Sequence, residues 1–395
     1  MVEESKFLSV CRVDRRTFLK VGLGAAAGAL ASSAANATAD EPKSTRPTPR
    51  NWSKGKNVQE HRAWLKQVVE EPLEPELPIC DPHHHMGDWP SFFRYLMADL
   101  LDDARGLNLV DTVFVECQAG YRQDGPVELQ PVGETEFMEG IARKSLADPK
   151  CPTAVAAAIV GHADLRLGEG VAPVLEAHLA ASPRFRGIRH ACAWHPSPAV
   201  GQSYMSSPPG LLGDSEFRKG IACLDKLGLS YDSWAYMNQF GELTDLARAF
   251  PELTIVCDHV GGVVGLGPYA GRREEAFAEW KRGMKELASC LNVSMKLGGL
   301  AMPLSGFGWQ DRDLPPTSLE MAEATAPYYL ECIEAFGPER CMFESNFPVE
   351  KLSCSYRVLW NSFKQIAKAF SPDEKAALFH DTAARAYRIG TAQHA

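Results

Sequence analysis

The stretch Asp81-Pro82-His83-His84-His85 directly follows the apolar segment Leu77-Pro78-Ile79-Cys80, and the rest of the chain is interpreted around it. Side chains alternate along a β-strand, so His83 and His85 are predicted to share one face with Asp81, while His84 points away. Two imidazoles on one face at a strand end provide half of a metal site or a catalytic pair. A surface cluster of histidines is the alternative, and the leading apolar strand argues against it.

Length and composition indicate a chain that can bury a large core. It has 395 residues, of which 45% are hydrophobic, enough for one large domain or two smaller ones. The formal net charge of −9 comes without a basic block, which argues against nucleic acid as a partner. After Ala39 no apolar run reaches transmembrane length, so no stable membrane span is expected in the mature chain. The cysteines show no paired spacing and are interpreted as core thiols.

Residues 1–37 are predicted to be an export signal. Asp14–Lys20 reads DRRTFLK and precedes the mildly apolar run Val21–Ala31, and Ala35-Asn36-Ala37 offers a small-residue cleavage site. The pattern resembles a twin-arginine signal, which implies the twin-arginine export machinery as a partner and the periplasm as the destination. A membrane anchor is the alternative, although a run of about 11 residues is too short to span a bilayer. Residues 38–76 are then a linker and an N-terminal helix, and 77–395 form the main domain.

From Leu77 onwards, apolar runs rich in β-branched residues alternate with segments of helical periodicity. The eight predicted strands are Leu77–His85, Val110–Gln118, Ala154–His162, Gly187–Trp194, Leu229–Tyr236, Leu253–His259, Asn292–Leu297 and Arg340–Asn346. Strand–helix alternation predicts an α/β fold with a parallel sheet, and eight repeats predict a closed (β/α)8 TIM barrel with C-terminal helices. A doubly wound open sheet is the rival, but no GxGxxG motif follows an early strand.

Charged residues stand inside these otherwise apolar strands. The four are Glu116, Asp232, Lys296 and Glu344. A buried charge is costly unless it is paired or bound to a metal. A shared polar site at the barrel mouth, where strands end and loops begin, would account for all four. Separate ion pairs with neighbouring helices are the alternative for any one of them.

Six motifs, in order along the chain, resemble the amidohydrolase superfamily. They are Asp81–His85, Gly187–His190, Leu229–Asp232, Asp258-His259, Met295–Leu300 and Cys341–Pro348. The nearest branch is that of the amidohydrolase-related TIM-barrel hydrolases, which include sugar-lactone and 2-pyrone-4,6-dicarboxylate lactonases. The resemblance covers roughly residues 77–385. It implies a distorted (β/α)8 barrel that opens lactones or similar carbonyl compounds with water, in some members with a divalent metal, usually zinc.

Carried over by position, the resemblance implies metal ligands at His83, His85 and His259, although a metal-free hydrolase stays open. His259 is also a candidate for polarising the substrate carbonyl. His190 matches the histidine of the strand 4 motif, and Arg189, expected on the opposite face, is a candidate for a substrate carboxylate or a helix-facing ion pair. Weaker candidates for substrate contacts are Gln118, Tyr121, Arg122 and Lys296.

Strand 8 departs from the family pattern, which reads Ser-Asp-aromatic-Pro and in which the aspartate activates water. Here that position is Asn346, and an amide cannot accept the proton. Glu344, two residues earlier on the same face, or Glu116 on strand 2 is the replacement candidate for base or ligand. Asn346 would then hydrogen-bond the substrate or water.

The sequence thus predicts an exported, metal-dependent hydrolase that opens a small lactone or related carbonyl ester. Two alternatives stay open. The first is a zinc-dependent decarboxylase of an aromatic or unsaturated acid, which Asn346 disfavours. The second is a non-catalytic, exported ligand-binding barrel that has lost its base. The substrate, the metal and the oligomeric state, including a homo-oligomer, are not fixed by the sequence.

Overall fold

The structure is a computed structural model that describes residues 58–89, 94–201, 203–205 and 207–390. The predicted signal at 1–37 and the predicted linker up to residue 57 lie outside the described residues. Among the helices that the structure describes, none is both long enough and apolar enough to cross a membrane.

Eight strands form one sheet in chain order, and each pairs in parallel with the next. They are β1 Ile79–His84, β2 Leu109–Val115, β3 Ala154–Gly161, β4 Phe185–Arg189, β5 Ser230–Ser233, β6 Ile255–Cys257, β7 Val293–Leu297 and β8 Cys341–Phe343. A two-stranded antiparallel pair, Gly87–Asp88 with Arg94–Tyr95, stands beside them. The predicted (β/α)8 barrel is confirmed, with most strands shorter than the apolar runs suggested.

Helices surround the barrel. Val58–Leu65 precedes β1, and the helices after β1 to β7 are Met97–Asp103, Val132–Ala147, Ala172–Ala181, Ser215–Lys226, Phe240–Ala249, Arg273–Leu287 and Ser318–Phe336. Ser215–Lys226 shows why they form: Asp214 caps its first turn by accepting from Phe217 N at 2.9 Å. Its apolar residues Phe217, Ile221 and Leu224 recur at helical spacing and are buried.

The chain ends in helical segments that reach the bottom of the barrel. Tyr356–Ile366 follows β8, and Pro372–Ala376, Ala377–Asp381 and Thr382–Ala386 follow one another directly, the middle one with π-helical hydrogen bonding. An apolar cluster fills the lower interior and consists of Cys80, Val113, Val115, Ala158, Val160, Val256, Met342, Ala383 and Tyr387. The C-terminal segment therefore contributes to the barrel's own core.

The barrel closes between β1 and the end of β8, at the mouth. Asn346 N donates to His83 O at 2.8 Å, and His85 N donates to Phe347 O at 2.7 Å. No regular ladder joins β1 to β8 among the described residues; an isolated bridge between His84 and Phe347 is recorded instead. The barrel is therefore distorted between β1 and β8, where it is closed by only a few hydrogen bonds, and this position coincides with the histidine-rich stretch.

An irregularity in β1 changes the expected alternation of its side chains. The register with β2 shifts between Asp81 and His84. Consequently Cys80 and His83 both face the interior, while Asp81 accepts from Ser345 Oγ at 2.5 Å and from Tyr356 OH at 2.9 Å. Asp81 therefore does not share the inward face of His83, as simple period-two counting predicted. It joins β1 to the segment after β8 and to a helix outside the barrel.

Candidate active site

His83 lies at the centre of a buried polar group at the carboxyl ends of the strands. Its side chain has no exposed surface, and its two ring nitrogens are approached by two cations. Arg189 Nη1 lies 3.1 Å from Nε2, and Lys296 Nζ lies 3.3 Å from Nδ1. Burial lowers the pKa of His83 well below its usual value, and the charge of Lys296 lowers it further, although Glu344 acts in the opposite direction. The imidazole is therefore neutral, which is the form that binds metals.

His259 enters the site because the chain turns sharply after β6. His259 and Val260 adopt left-handed φ angles of +57° and +47°, which residues with a Cβ rarely take. A hydrogen bond from Trp280 Nε1 to Val260 O at 2.7 Å helps to hold the turn. Backbone strain of this kind is concentrated at functional sites. Here it brings the ring of His259 within 4.5 Å of the ring of His83, measured between centroids.

Glu344, directly after β8, contacts both histidines through different oxygens. Its Oε1 lies 2.5 Å from His259 Nδ1, and its Oε2 lies 2.8 Å from His83 Nδ1. Burial alone would raise the pKa of Glu344, but His259 and His83 together lower it to about 2. Two glycines after β7 allow this approach: a Cβ on Gly298 would lie 2.3 Å from Glu344 Cγ, and one on Gly299 2.3 Å from His259 Cβ. The Gly-Gly motif therefore makes room for the cluster.

His83, His259 and Glu344 can hold a divalent metal. Their ligand atoms, one per residue, lie within 4.8 Å of one another. Glu344 Oε2 and His83 Nδ1 lie 2.8 Å apart with both side chains fully buried, so the carboxylate and the ring are directed into the same space. Two imidazoles and a carboxylate are a donor set that zinc and similar ions accept. The residues therefore fit a metal of this kind; its identity is not established.

His85, predicted as a third ligand, is not part of this group. Its Nδ1 lies 2.8 Å from Val115 O, and its ring meets that of His83 edge-on at 4.9 Å. Burial lowers the pKa of His85 well below its usual value, and the charge of Arg189 lowers it further. The structure thus brings together two of the three predicted ligands, His83 and His259, with Glu344. His85 supports the ring of His83.

Lys296 is buried among carboxylates below the cluster. It lies 2.8 Å from Asp232 Oδ2 and 2.9 Å from Asp258 Oδ1, and Tyr387 OH donates to the same Asp232 oxygen at 2.5 Å. Burial disfavours the charge of Lys296, but these carboxylates outweigh it and raise the pKa of Lys296. Because its ammonium group is paired with Asp232 and Asp258, Lys296 is not available to bind a charged substrate.

Arg189 faces into the mouth, the reverse of the direction predicted for it and for His190. Its Nε donates to Glu116 Oε1 at 2.8 Å and its Nη2 to Glu116 O at 2.5 Å. His190 points outward, where its Nδ1 accepts from Leu165 N at 3.2 Å and its ring packs on Phe217. Because both faces of β4 carry polar residues, the alternation of side chains did not show which face points into the barrel. His190 therefore lies apart from the cluster, and we assign it no catalytic role.

The remaining predicted residues divide between the mouth and the surface. Asn346 is buried, its φ is +51°, and its Nδ2 has no hydrogen-bond partner in the described chain. Gln118 lies in the loop after β2, where its side chain is exposed and its φ is +63°. Tyr121 carries a buried hydroxyl with no described partner. Arg122 forms an ion pair with Glu136 at the surface, which removes it from the site.

Sequence reasoning missed Tyr204, which comes from the segment between β4 and the next helix. Its hydroxyl donates to Glu116 Oε1, and the Arg189 guanidinium lies 5.4 Å from its ring centroid. Neighbouring Ser203 accepts from Trp234 Nε1 at 2.8 Å. Irregular segments carry no periodicity from which such a contact can be read. The aromatic character of Tyr204 was the only available signal.

The chain belongs to the amidohydrolase family: the family profile described as Amidohydrolase matches residues 80–389. The uncharacterized protein y4mH of Sinorhizobium fredii is 36% identical over 80% of this chain and 99% of that relative. An L-fucono-1,5-lactonase of Burkholderia multivorans is 29% identical over 62% of this chain and 75% of its own length.

Solved structures agree on the fold. A Burkholderia multivorans amidohydrolase, crystallised with bound zinc, superposes with a TM-score of 0.60 at 24% identity, covering 79% of this chain and 99% of that one. At this identity the likeness concerns the fold alone. Family membership and the lactonase relatives together make the chain a hydrolase of the amidohydrolase superfamily.

Proposed function

We propose that this protein opens the ring of a small, uncharged, hydroxylated lactone with water. The observation that carries the proposal is the buried His83–His259–Glu344 group at the barrel mouth, a donor set suited to a divalent ion. Such an ion would supply Lewis acidity toward a carbonyl or a water molecule. The similarity to an L-fucono-1,5-lactonase favours a lactone as the compound that is opened.

The charge balance of the mouth favours an uncharged substrate. The two cations, Arg189 and Lys296, are paired with Glu116, Asp232 and Asp258, and Glu344 adds a further carboxylate. Two cations against four carboxylates leave an excess of negative charge that a divalent ion would cancel. A dicarboxylate would find no unpaired cation in this group, and burying its charge without one is unfavourable. The same argument disfavours the carboxylated substrate of a decarboxylase.

Each residue then has a definite part. Glu344, His83 and His259 hold the ion, and His85 and Arg189 hold the ring of His83 in place. Asn346 Nδ2 has a free donor and would hydrogen-bond the oxygen on which negative charge develops. Since Asn346 cannot accept a proton, a carboxylate facing His83 must take it from water. Asp258 is the candidate: its Oδ1 lies 3.6 Å from His83 Nδ1, outside the ligand group, and the same oxygen is paired with Lys296 Nζ at 2.9 Å.

The proposal includes export to the periplasm through the twin-arginine pathway. It is based on the DRRTFLK motif and the small-residue cleavage site of residues 1–37. The test is cell fractionation of the full chain and of a variant carrying Arg15→Lys and Arg16→Lys. Export of the wild type and retention of the variant in the cytoplasm are expected. Equal distribution of the two would refute this part.

Acid release from lactones tests the function. The purified protein, supplied with zinc or manganese, is expected to release acid from neutral aldonolactones faster than from 2-pyrone-4,6-dicarboxylate. The matched control is His190→Asn, which removes a histidine outside the cluster and should retain hydrolysis. Saturable lactone binding without turnover would support the non-catalytic barrel instead. Release of carbon dioxide from an aromatic acid would support the decarboxylase.

A further inference from the structure

A second group of polar atoms lies beside the metal-binding cluster, at the carboxyl end of β2. We propose that Glu116, Tyr121 and Glu134 form a subsite that binds adjacent hydroxyl groups of the substrate; we call it the β2 subsite. This inference rests on the proposed lactone hydrolysis and specifies which part of the lactone the protein recognises.

Glu116 offers one free oxygen in a fully buried side chain. Its Oε1 accepts from Arg189 Nε at 2.8 Å and from the Tyr204 hydroxyl, which fixes the orientation of the carboxylate. Its Oε2 is buried and has no hydrogen-bond partner among the described residues. A buried acceptor without a partner is unfavourable, so a hydroxyl donor placed there would be stabilised.

Glu134 and Tyr121 supply the other unpaired atoms. Glu134 Oε1 accepts from Cys117 N at 3.0 Å and Ala119 N at 2.7 Å, which holds the side chain against the loop after β2. Its Oε2 and the Tyr121 hydroxyl are buried without partners in the described chain. Burial and the charge of Glu116 raise the pKa of Glu134 to about 8, so this carboxyl group carries a proton at neutral pH and can donate as well as accept. Burial raises the pKa of Tyr121, and the charges of Glu134 and Glu116 raise it further, as expected for a hydroxyl close to both.

Arg189 connects the β2 subsite to the metal-binding cluster. Its Nε donates to Glu116 Oε1, while its Nη1 lies 3.1 Å from His83 Nε2. The same guanidinium therefore contacts both groups. A five- or six-membered ring with its carbonyl at the cluster would extend its hydroxyl groups toward Glu116. The Glu116 carboxylate accepts from hydroxyl groups and repels a substrate carboxylate. The expected ligand is therefore a neutral, polyhydroxylated lactone.

Tyr121→Phe tests the subsite, because it removes one hydroxyl that supports no described contact. We expect it to raise KM for D-galactono-1,4-lactone about three- to tenfold, the usual range for one lost hydrogen bond, and to leave KM for γ-butyrolactone unchanged. Tyr269→Phe loses a hydroxyl bonded to Glu279 outside the mouth and should change neither value.

Equal KM changes for both lactones, or no change in Tyr121→Phe, would overturn the subsite while leaving lactone hydrolysis intact. If the wild type hydrolyses neither compound, the proposed function fails, and calorimetric titration of the protein with D-galactono-1,4-lactone decides the subsite separately. Binding that Tyr121→Phe weakens by a similar factor supports it. Absence of binding, or equal affinity of wild type and variant, refutes it.

Discussion

Two histidines, at opposite ends of the same barrel, each lie against carboxylates, and their pKa values move in opposite directions. His83 at the mouth is fully buried, and burial lowers its pKa although Glu344 is 2.8 Å away. His380 at the bottom is partly exposed; its hydrogen bond to Asp111 raises its pKa, and that to Asp381 adds to this. Burial therefore decides whether the histidine beside a carboxylate stays neutral, as a metal ligand must, or becomes charged and forms an ion pair.

The two histidines therefore have different roles: His83 belongs to the candidate active site, and His380 stabilises the packing of the C-terminal segment. The neutral ring of His83 has one nitrogen lone pair available, and its surroundings hold the ring in one position. His380, on the π-helical turn, joins the C-terminal segment to β2 through Asp111 at 3.4 Å. Each end of the barrel can be perturbed separately, and the expected effects differ in size.

The largest effect is expected at the mouth, from Glu344→Gln. The amide preserves size but removes the charge that faces His83 and His259, so metal affinity and lactone hydrolysis should each fall by at least about 100-fold. Calorimetric zinc titration and acid-release kinetics measure the two losses. Glu136→Gln, at the surface pair with Arg122, is the matched control. Normal zinc affinity in Glu344→Gln would contradict the ligand assignment.

An intermediate effect is expected from Lys296→Met, which leaves Asp232 and Asp258 buried without their cation. Removing one partner of a buried ion pair typically costs about 3–5 kcal/mol, so the free energy of unfolding should fall by that amount in urea titrations. Adding Asp232→Asn should restore part of the loss. Lys219→Met, at an exposed pair with Glu216, should leave unfolding unchanged. If Lys296→Met were as stable as the wild type, the ion pairs of Lys296 with Asp232 and Asp258 would not contribute to the stability of the fold.

The smallest effect is expected at the bottom, from His380→Gln. The folded-state pKa of His380 is raised above 6.5, so the stabilisation is fully present below the unfolded pKa and disappears as the pH rises through the folded pKa. The variant should lose about 0.5 kcal/mol at pH 5 and nothing at pH 9, since the side chain is partly exposed. Urea titrations at both pH values measure this. A loss that is equal at pH 5 and pH 9 would exclude the charged histidine as its cause.

The sequence predicted the barrel well because periodicity and strand–helix alternation are local signals. It also predicted that Glu116, Asp232, Lys296 and Glu344 share one polar group, since buried charges need partners. Directions of side chains were harder. The β1 irregularity turned Asp81 outward, and β4 carries polar residues on both faces, so Arg189 and His190 exchanged their expected sides.

Contacts from irregular segments had no periodic pattern from which they could be predicted. Tyr204 reaches Glu116 from the segment after β4, and Tyr387 reaches Asp232 from the C-terminus. Both depend on tertiary packing of residues far apart in sequence. His85 lies beside His83, as period-two counting predicted, but it is outside the group of three residues whose ligand atoms converge.

Metal analysis of the natively folded protein tests whether His83 and His259 hold a divalent ion. We expect about one divalent ion per chain in the wild type and in His190→Asn, and loss of that ion in His83→Ala and His259→Ala. Elemental analysis after gel filtration gives these values without knowledge of the substrate. A wild type that binds no divalent ion, or a His83→Ala variant that keeps it, would contradict the account.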